Sequence, residues 1–215
     1  MLNFPATTEF NRKIPKQKFY ENIDIPNQIK RQFVEKIKGI YWMNKLAPST
    51  VNVQEGQEVK EIEIFKIVLT QQDLDFNVLK LIDKAIPYHI IYQIEYEDRF
   101  KICAAYKEID DKGVCRVISK YYCTEWMSEN DFSVSLNGLT MDSVYENFIR
   151  QIAGNIIEFR TKDLKSDIER SADKEQIQKE IEKLEKQARS EKQPKKKFEI
   201  VAKIRALEDK ISEFV

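Results

Sequence analysis

The spacing of apolar positions changes several times along the chain, and each change marks an element. Residues 1–23 keep no period: Phe4, Pro5, Phe10, Ile14, Pro15, Phe19 and Tyr20 lie scattered among Arg12, Lys13, Lys16 and Lys18. Proline fixes φ, lacks an N–H and restricts the residue before it, so this stretch reads as an irregular basic arm. From Pro26 onward, Ile29, Phe33, Ile37 and Ile40 recur at steps of three and four. That spacing predicts a helix with Pro26 in its first turn and Gly39 near its end. The aromatic and branched run 40–46 then leads to Pro48 and a loop through Gly56.

In 59–69 the period falls to two, which predicts a strand. Ile62 and Ile64 share one face, and Phe65, Ile67 and Leu69 share the other. The slip between the two sets requires either a bulge or a strand buried on both faces toward its end. A second helix follows, capped by Asp73 or Asp75, lined by Leu79, Ile82 and Ile86, and stopped by Pro87. Three strand-like runs come next, 88–97, 99–109 and 114–123, with turns at Glu97 and Asp98 and at residues 110–113. This is the pattern of an antiparallel meander. Tyr145, Phe148, Ile152, Ile156 and Phe159 predict a further helix beginning near Thr140 or Asp142.

Beyond residue 160 the apolar positions thin out. Leu164, Ile168, Ile177, Ile181, Leu184 and Ala188 form one series. Ile200, Ile204, Leu207, Ile211 and Phe214 form another, at four-three-four-three steps, with Glu and Lys filling the remainder. Heptad spacing predicts two coiled-coil helices, and Gln193-Pro194 between them predicts an antiparallel hairpin. Two heptads per arm are marginal in isolation, so the hairpin is expected to pack on something. The expected class is therefore α+β: a largely antiparallel sheet of four or more strands with helices mainly on one face, plus the hairpin. The expected divisions are an arm over 1–23, a body over 24–159 and the hairpin over 160–215.

Charge sharpens this division. The chain has 215 residues with 36 Lys and Arg against 36 Asp and Glu. Residues 1–38 carry a balance of +4, residues 39–159 a balance of −7, and residues 160–215 a balance of +3. Basic ends around an acidic middle can touch a polyanion locally, but this is not the composition of a general nucleic-acid binder. Cys103, Cys115 and Cys123 are odd in number, form no CxxC pair and sit in apolar runs. They read as small buried hydrophobes in a reducing compartment. No signal segment and no apolar run near 18 residues is present, so the expected location is cytoplasmic.

No local string supports catalysis. The single histidine, His89, lies in a strand-like run with no ligand spacing around it, and Glu55-Gly56-Gln57 is a turn rather than a phosphate loop. No cofactor is implied and no residue is assigned a catalytic role. Glu58, Glu61 and Glu63 around Lys60, with Asp73 and Asp75 beyond, match the carboxylate-and-lysine pattern by which metal-dependent nucleases hold Mg²⁺ and activate water. A solvated strand face has the same alternation. Two basic segments are candidates for contact with a partner or with phosphate. One is the arm, with Arg12, Lys13, Lys16 and Lys18. The other is the hairpin turn, with Arg189, Lys192, Gln193, Lys195, Lys196 and Lys197.

Five strings carry a resemblance: IPKQKFYEN at 14–22, YWMNKLAPSTVNV at 41–53, EIEIFKIVL at 61–69, LIDKAIPYHIIYQI at 81–94 and SEKQPKKKFEIVAKIRALEDKI at 190–211. Together they resemble a bacterial and archaeal family known as a domain of unknown function. The resemblance runs nearly the full length and brings no catalytic residues with it. It implies a genomic setting beside DNA helicases and site-specific DNA methyltransferases, in restriction-like or phage-defence loci. The first reading is then a non-catalytic accessory or docking subunit of such a DNA-defence system. Its protein partner would be a helicase or methyltransferase, and DNA would be reached through the complex. A metal-dependent nuclease subunit is the second reading. A self-assembling structural module, dimerising through the hairpin, is the third.

Overall fold

The computed structural model describes residues 4–21, 25–110, 114–128 and 134–214. The chain divides into two compact units, residues 1–156 and 157–215. The first contains eight described strands: β1 (Glu9–Ile14), β2 (Ile37–Leu46), β3 (Ile62–Leu69), β4 (His89–Tyr96), β5 (Arg99–Ala104), β6 (Lys107–Ile109), β7 (Cys115–Val117) and β8 (Tyr122–Cys123). Six of them form one sheet in the order β1-β2-β3-β4-β5-β8, while β6 and β7 pair as a separate ribbon. Every neighbouring pair in the large sheet is antiparallel except β3 and β4, which run parallel. A parallel pair needs a crossover. Helix α3 (Asn77–Ala85) supplies it, after the shorter α1 (Asn27–Arg31) and α2 (Pro48–Val51). The unit's last helix is α4 (Met141–Ala153).

Side chains alternate across a strand, so the sheet has two distinct faces. On one face Ile40, Phe65, Ile67, Ile90, Tyr92 and Ile94 pack with Phe33 and with Val78, Leu79 and Ile82 of α3. On the other lie the alternate residues Ile62, Ile64, Ile91 and Ile102, all buried. There His89 meets the ring of Tyr145 from α4 edge-on at 4.4 Å. Burying each large aliphatic or aromatic side chain contributes about 1.5–3 kcal/mol, which makes this double-sided sheet the main source of stability. β3 is buried on both sides, and the register shifts fall on its neighbour β2, between Ile37 and Gly39 and between Trp42 and Asn44.

The α+β class and the largely antiparallel sheet agree with the sequence, and several local expectations do not. The arm is not irregular throughout: residues 9–14 form edge strand β1, with Arg12, Lys13 and Ile14 opposite Trp42, Tyr41 and Ile40. Its proline, Pro15, falls just past the strand, where it breaks no ladder. The helix expected to reach Ile40 ends earlier. A π turn over Gln32–Lys36 follows α1, and Ile37 already belongs to β2. The three-residue step from 37 to 40 is helical spacing, but pairing with Leu69 and Ile67 of β3 makes it strand, and the register shift between Ile37 and Gly39 lets both residues be buried. The run 99–109 breaks after Ala104, and 114–123 splits into β7 and β8. The turn expected at 110–113 lies, for residues 111–113, outside the described residues. Helix α4 stops at Gly154, whose φ of 49° is open to glycine, so Ile156 and Phe159 are not on it.

Cys103 and Cys123 stand directly opposite each other on β5 and β8, and their sulfurs are joined in a disulfide. This corrects the expectation of three free buried thiols. Cys115 alone is free and is half-buried. Residues twenty apart in sequence give no pairing signal by spacing. The register of an edge strand brings them together.

The second unit consists of α5 (Leu164–Ser190) and α6 (Pro194–Glu213), which pack against each other. Asp163 caps α5 by accepting the Lys165 N–H at 3.1 Å. Ile181 and Ala188 are buried, while Ile200, Ile204, Leu207 and Ile211 of α6 are each half-buried. Among the described residues no helix is long and apolar enough to cross a membrane.

Candidate docking site

Most charges near the root of the hairpin are neutralised within the second unit. The Asp167 carboxylate is fully buried and accepts from Arg170 at 2.7 Å and from the backbone N–H groups of Arg160 and Thr161. Glu158 binds both Lys174 and Arg160, at 2.7 and 2.8 Å. The turn is different. Ser190 ends α5, Gln193 precedes α6 with its N–H donating to Glu191 Oε1 at 2.8 Å, and Pro194 takes the first helical position. Lys195, Lys196 and Lys197 follow in the first turn, which holds no acidic residue.

This placement runs against helix electrostatics. The N-terminal end of a helix carries about half a positive charge, so a cation there is repelled where a carboxylate would be stabilised by about 0.3–1 kcal/mol. Lys192, Lys195, Lys196 and Lys197 are all exposed and, among the described residues, make no ion pair or side-chain hydrogen bond. Arg189 lies 3.5 Å from Glu185 with its side chain 80% exposed. Beside the lysines stands Phe198, 76% exposed. Sequence reasoning passed over Phe198. Its signal was that it falls outside the heptad positions beginning at Ile200, so the pairing of α5 with α6 cannot cover it.

The arm residues do not gather into a second basic site. Arg12 stacks its guanidinium 4.4 Å from the centre of the Phe10 ring. Lys16 turns inward and donates to the carbonyls of Val34 and Ile37, closing the end of the π turn. Burial, and then Lys13, lower its pKa. Lys13 and Lys18 remain exposed.

The three candidate carboxylates separate. Glu58 sits in the loop 56–59, where the backbone N–H groups of Gln57, Glu58 and Val59 donate to the carboxylate of Asp142 at 2.6, 3.1 and 2.7 Å. A Cβ on Gly56 would come within 2.5 Å of that carboxylate, so the close approach requires glycine. The turn is thus an anion-holding nest filled by the chain's own aspartate. Glu61 and Glu63 lie together at the entry to β3. Lys45 Nζ and Glu61 Oε2 form an ion pair of 2.8 Å, which raises the Lys45 pKa. Trp42 Nε1–H donates to Glu63 Oε2 at 2.7 Å. Glu63 is 1% exposed, and its pKa is pushed up to about 8, chiefly by burial, with Glu61 beside it adding to the rise.

A further group appears that no sequence signal had marked as a unit. Asp83 of α3 and Lys107 of β6 form an ion pair of 2.6 Å with side chains 2% and 1% exposed. Asp83 also accepts from Tyr92 Oη at 2.8 Å and from Tyr121 Oη. Burial, and then this carboxylate, raise both phenol pKa values. Next to it the Lys107 carbonyl accepts from His89 Nε2 at 3.1 Å, which places the imidazole proton on Nε2. Burial and then the Lys107 charge lower the His89 pKa to about 3. His89 and Lys107 line a groove of about 740 Å³ whose walls include Glu58, Arg116 and Glu146. Both oxygens of Asp83 are hydrogen-bonded, so the group pins α3 to the sheet. Among the described residues no three His, Cys, Asp or Glu side chains converge on one point.

The sequence model of one family, described as a domain of unknown function (DUF4391), matches residues 2–211. No curated protein and no solved structure matches the chain.

Proposed function

The chain belongs to the DUF4391 family, and on that premise we propose that it is a non-catalytic accessory subunit that docks through the tip of its hairpin onto a DNA-acting protein. The observation that carries this is the first turn of α6. Three lysines and an exposed phenylalanine occupy positions where they weaken the helix and cover no core. A partner surface bearing carboxylates around an apolar pocket would relieve both defects. The lysines would gain counter-charges that also complement the helix end, and Phe198 would be desolvated as an aromatic anchor. The resemblance noted from the sequence suggests the partner: a helicase or a DNA methyltransferase of a restriction-like defence system.

The test is co-purification from the native host after nuclease treatment. Wild type is compared with Lys195→Glu/Lys196→Glu/Lys197→Glu and with Phe198→Ser. The expected result is a helicase or methyltransferase that follows wild type and is lost from both variants. Retention by the triple variant would sink the role of the tip. If nothing follows wild type, the accessory reading itself fails. Binding to naked DNA, lost in the triple variant, would place the tip on phosphate instead.

A further inference from the structure

We infer that the Cys103–Cys123 disulfide is a redox latch, which holds the edge strand β8 against β5 while oxidised and loosens it when a dithiol reductant opens the bond. β8 has two residues, pairs with β5 alone and ends the sheet. Strands usually run to about three to ten residues, so a ladder this short does little to hold an edge. Beyond it the Thr124 N–H donates to the Ile102 carbonyl at 3.0 Å, and Phe100 and Met127 exchange bonds of 3.0 and 2.9 Å. Sparse backbone bonds at the edge of a sheet belong to the part of a fold that opens first. The disulfide joins one of the two ladder pairs, and so clamps the shortest strand of the sheet.

The segment carries more than its own backbone. Two residues before Cys123, Tyr121 sends its hydroxyl into the body and donates to Asp83. Its ring meets those of Tyr92 and Phe76, centred 6.3 and 5.6 Å away. Movement of β8 is thereby felt at the carboxylate that pins α3. Lys107 and Tyr92 still hold Asp83 when Tyr121 withdraws, so the response stays local. The chemistry also has a defined entry. Cys103 is fully buried whereas Cys123 is half-buried, so a reductant thiolate attacks the Cys123 sulfur. Cys103 leaves with the bonding electrons and takes a proton. The second thiol of the reductant then displaces Cys123, which also leaves as a thiol, and the reductant departs as its own disulfide. Cys115, the free thiol, does not compete as a nucleophile, because burial raises its pKa and keeps it protonated.

The test takes the full chain, first oxidised with glutathione disulfide, with and without dithiothreitol, and reads it by alkylation mass and by amide hydrogen exchange. Unfolded and alkylated without dithiothreitol, the chain is expected to carry label on one of its three cysteines, and after reduction in the folded state on all three. Reduction is expected to speed exchange at Thr124 and Met127 about tenfold or more, with β3 and α5 unchanged. Returning the chain to glutathione disulfide should restore the slow rate. Cys103→Ala/Cys123→Ala is expected to exchange at the fast rate in both conditions, and Cys115→Ala to respond as wild type does. Three labelled cysteines in the oxidised chain overturn the inference, because the bond then does not form. A bond that dithiothreitol opens only after unfolding is a permanent staple, which also overturns it. So does a reduced chain that exchanges at the oxidised rate, or one that exchanges fast throughout the body. These arms read the wild-type chain and stand even if the double alanine variant folds poorly.

Discussion

Lys107 and Lys197 present the same ammonium group to opposite environments. Lys107 is buried in the body against Asp83, with two tyrosine hydroxyls completing the carboxylate's partners. Lys197 stands in solvent in the first turn of α6 beside two more lysines, with no acidic residue in that turn. A buried charge is tolerable only when its partners are in place, so Lys107 constrains the fold. An exposed charge constrains almost nothing, so the tip lysines are free to be set by whatever they meet. The lesson is that position, and not residue type, separates a structural cation from an interaction cation.

This contrast yields a graded set of expectations. The largest effect belongs to Lys107→Met, which leaves Asp83 buried and unpaired and should lower the unfolding free energy by about 3–5 kcal/mol in urea or thermal denaturation. A loss below about 1 kcal/mol would mean that the tyrosines hold Asp83 unaided.

Next comes the acid branch of stability, through the neighbouring His89. The unfolded histidine takes up its proton near 6.5, whereas the folded one does so only at about 3. Protons therefore favour the unfolded state between these values. The stabilising contribution is whole above 6.5 and is lost as pH falls toward 3. By pH 5 the loss should reach about 2 kcal/mol. His89→Gln keeps a donor for the Lys107 carbonyl but removes the titration, and should flatten that part of the stability curve. An unchanged slope would place the acid sensitivity elsewhere.

The smallest effect on stability is expected at the tip, and its sign is the informative part. A single Lys196→Glu exchange puts a carboxylate where the helix end favours it, and should stabilise the isolated chain by about 0.3–1 kcal/mol at low salt. A marked loss of stability would show that the lysines are structural after all, which would erase the contrast with Lys107.

Much of the architecture was legible in the chain. The two-residue period of 59–69, the helix start near Thr140 or Asp142 and the break at Gln193-Pro194 all mark elements that the structure contains. These are local signals, and local propensity decides them. The misreadings have a common cause. Ile37 and Ile40 keep helical spacing, and only pairing with β3, with a register shift between Ile37 and Gly39, makes them strand. The arm's residues 9–14 have no strong pattern of their own and become a strand because β2 offers an open edge. The candidate sites divide the same way. Exposure of the lysines around a turn follows from composition, so the tip was visible. Asp83 in an otherwise apolar helix face was a faint signal, and nothing local tied it to Lys107, twenty-four residues away.

What the sequence determined by itself was therefore the kind and approximate extent of most elements, the acidic middle between basic ends and the charged turn of the hairpin. Each depends on neighbours within one or two turns of chain. Only the tertiary structure decided which strands pair, that Cys103 meets Cys123, that Asp142 fills the loop at Gly56, and that Glu61 and Glu63 lie together beneath Trp42. Those outcomes depend on burial and on contacts between residues distant in sequence. Their free energies exist only once the sheet has closed and water has been excluded.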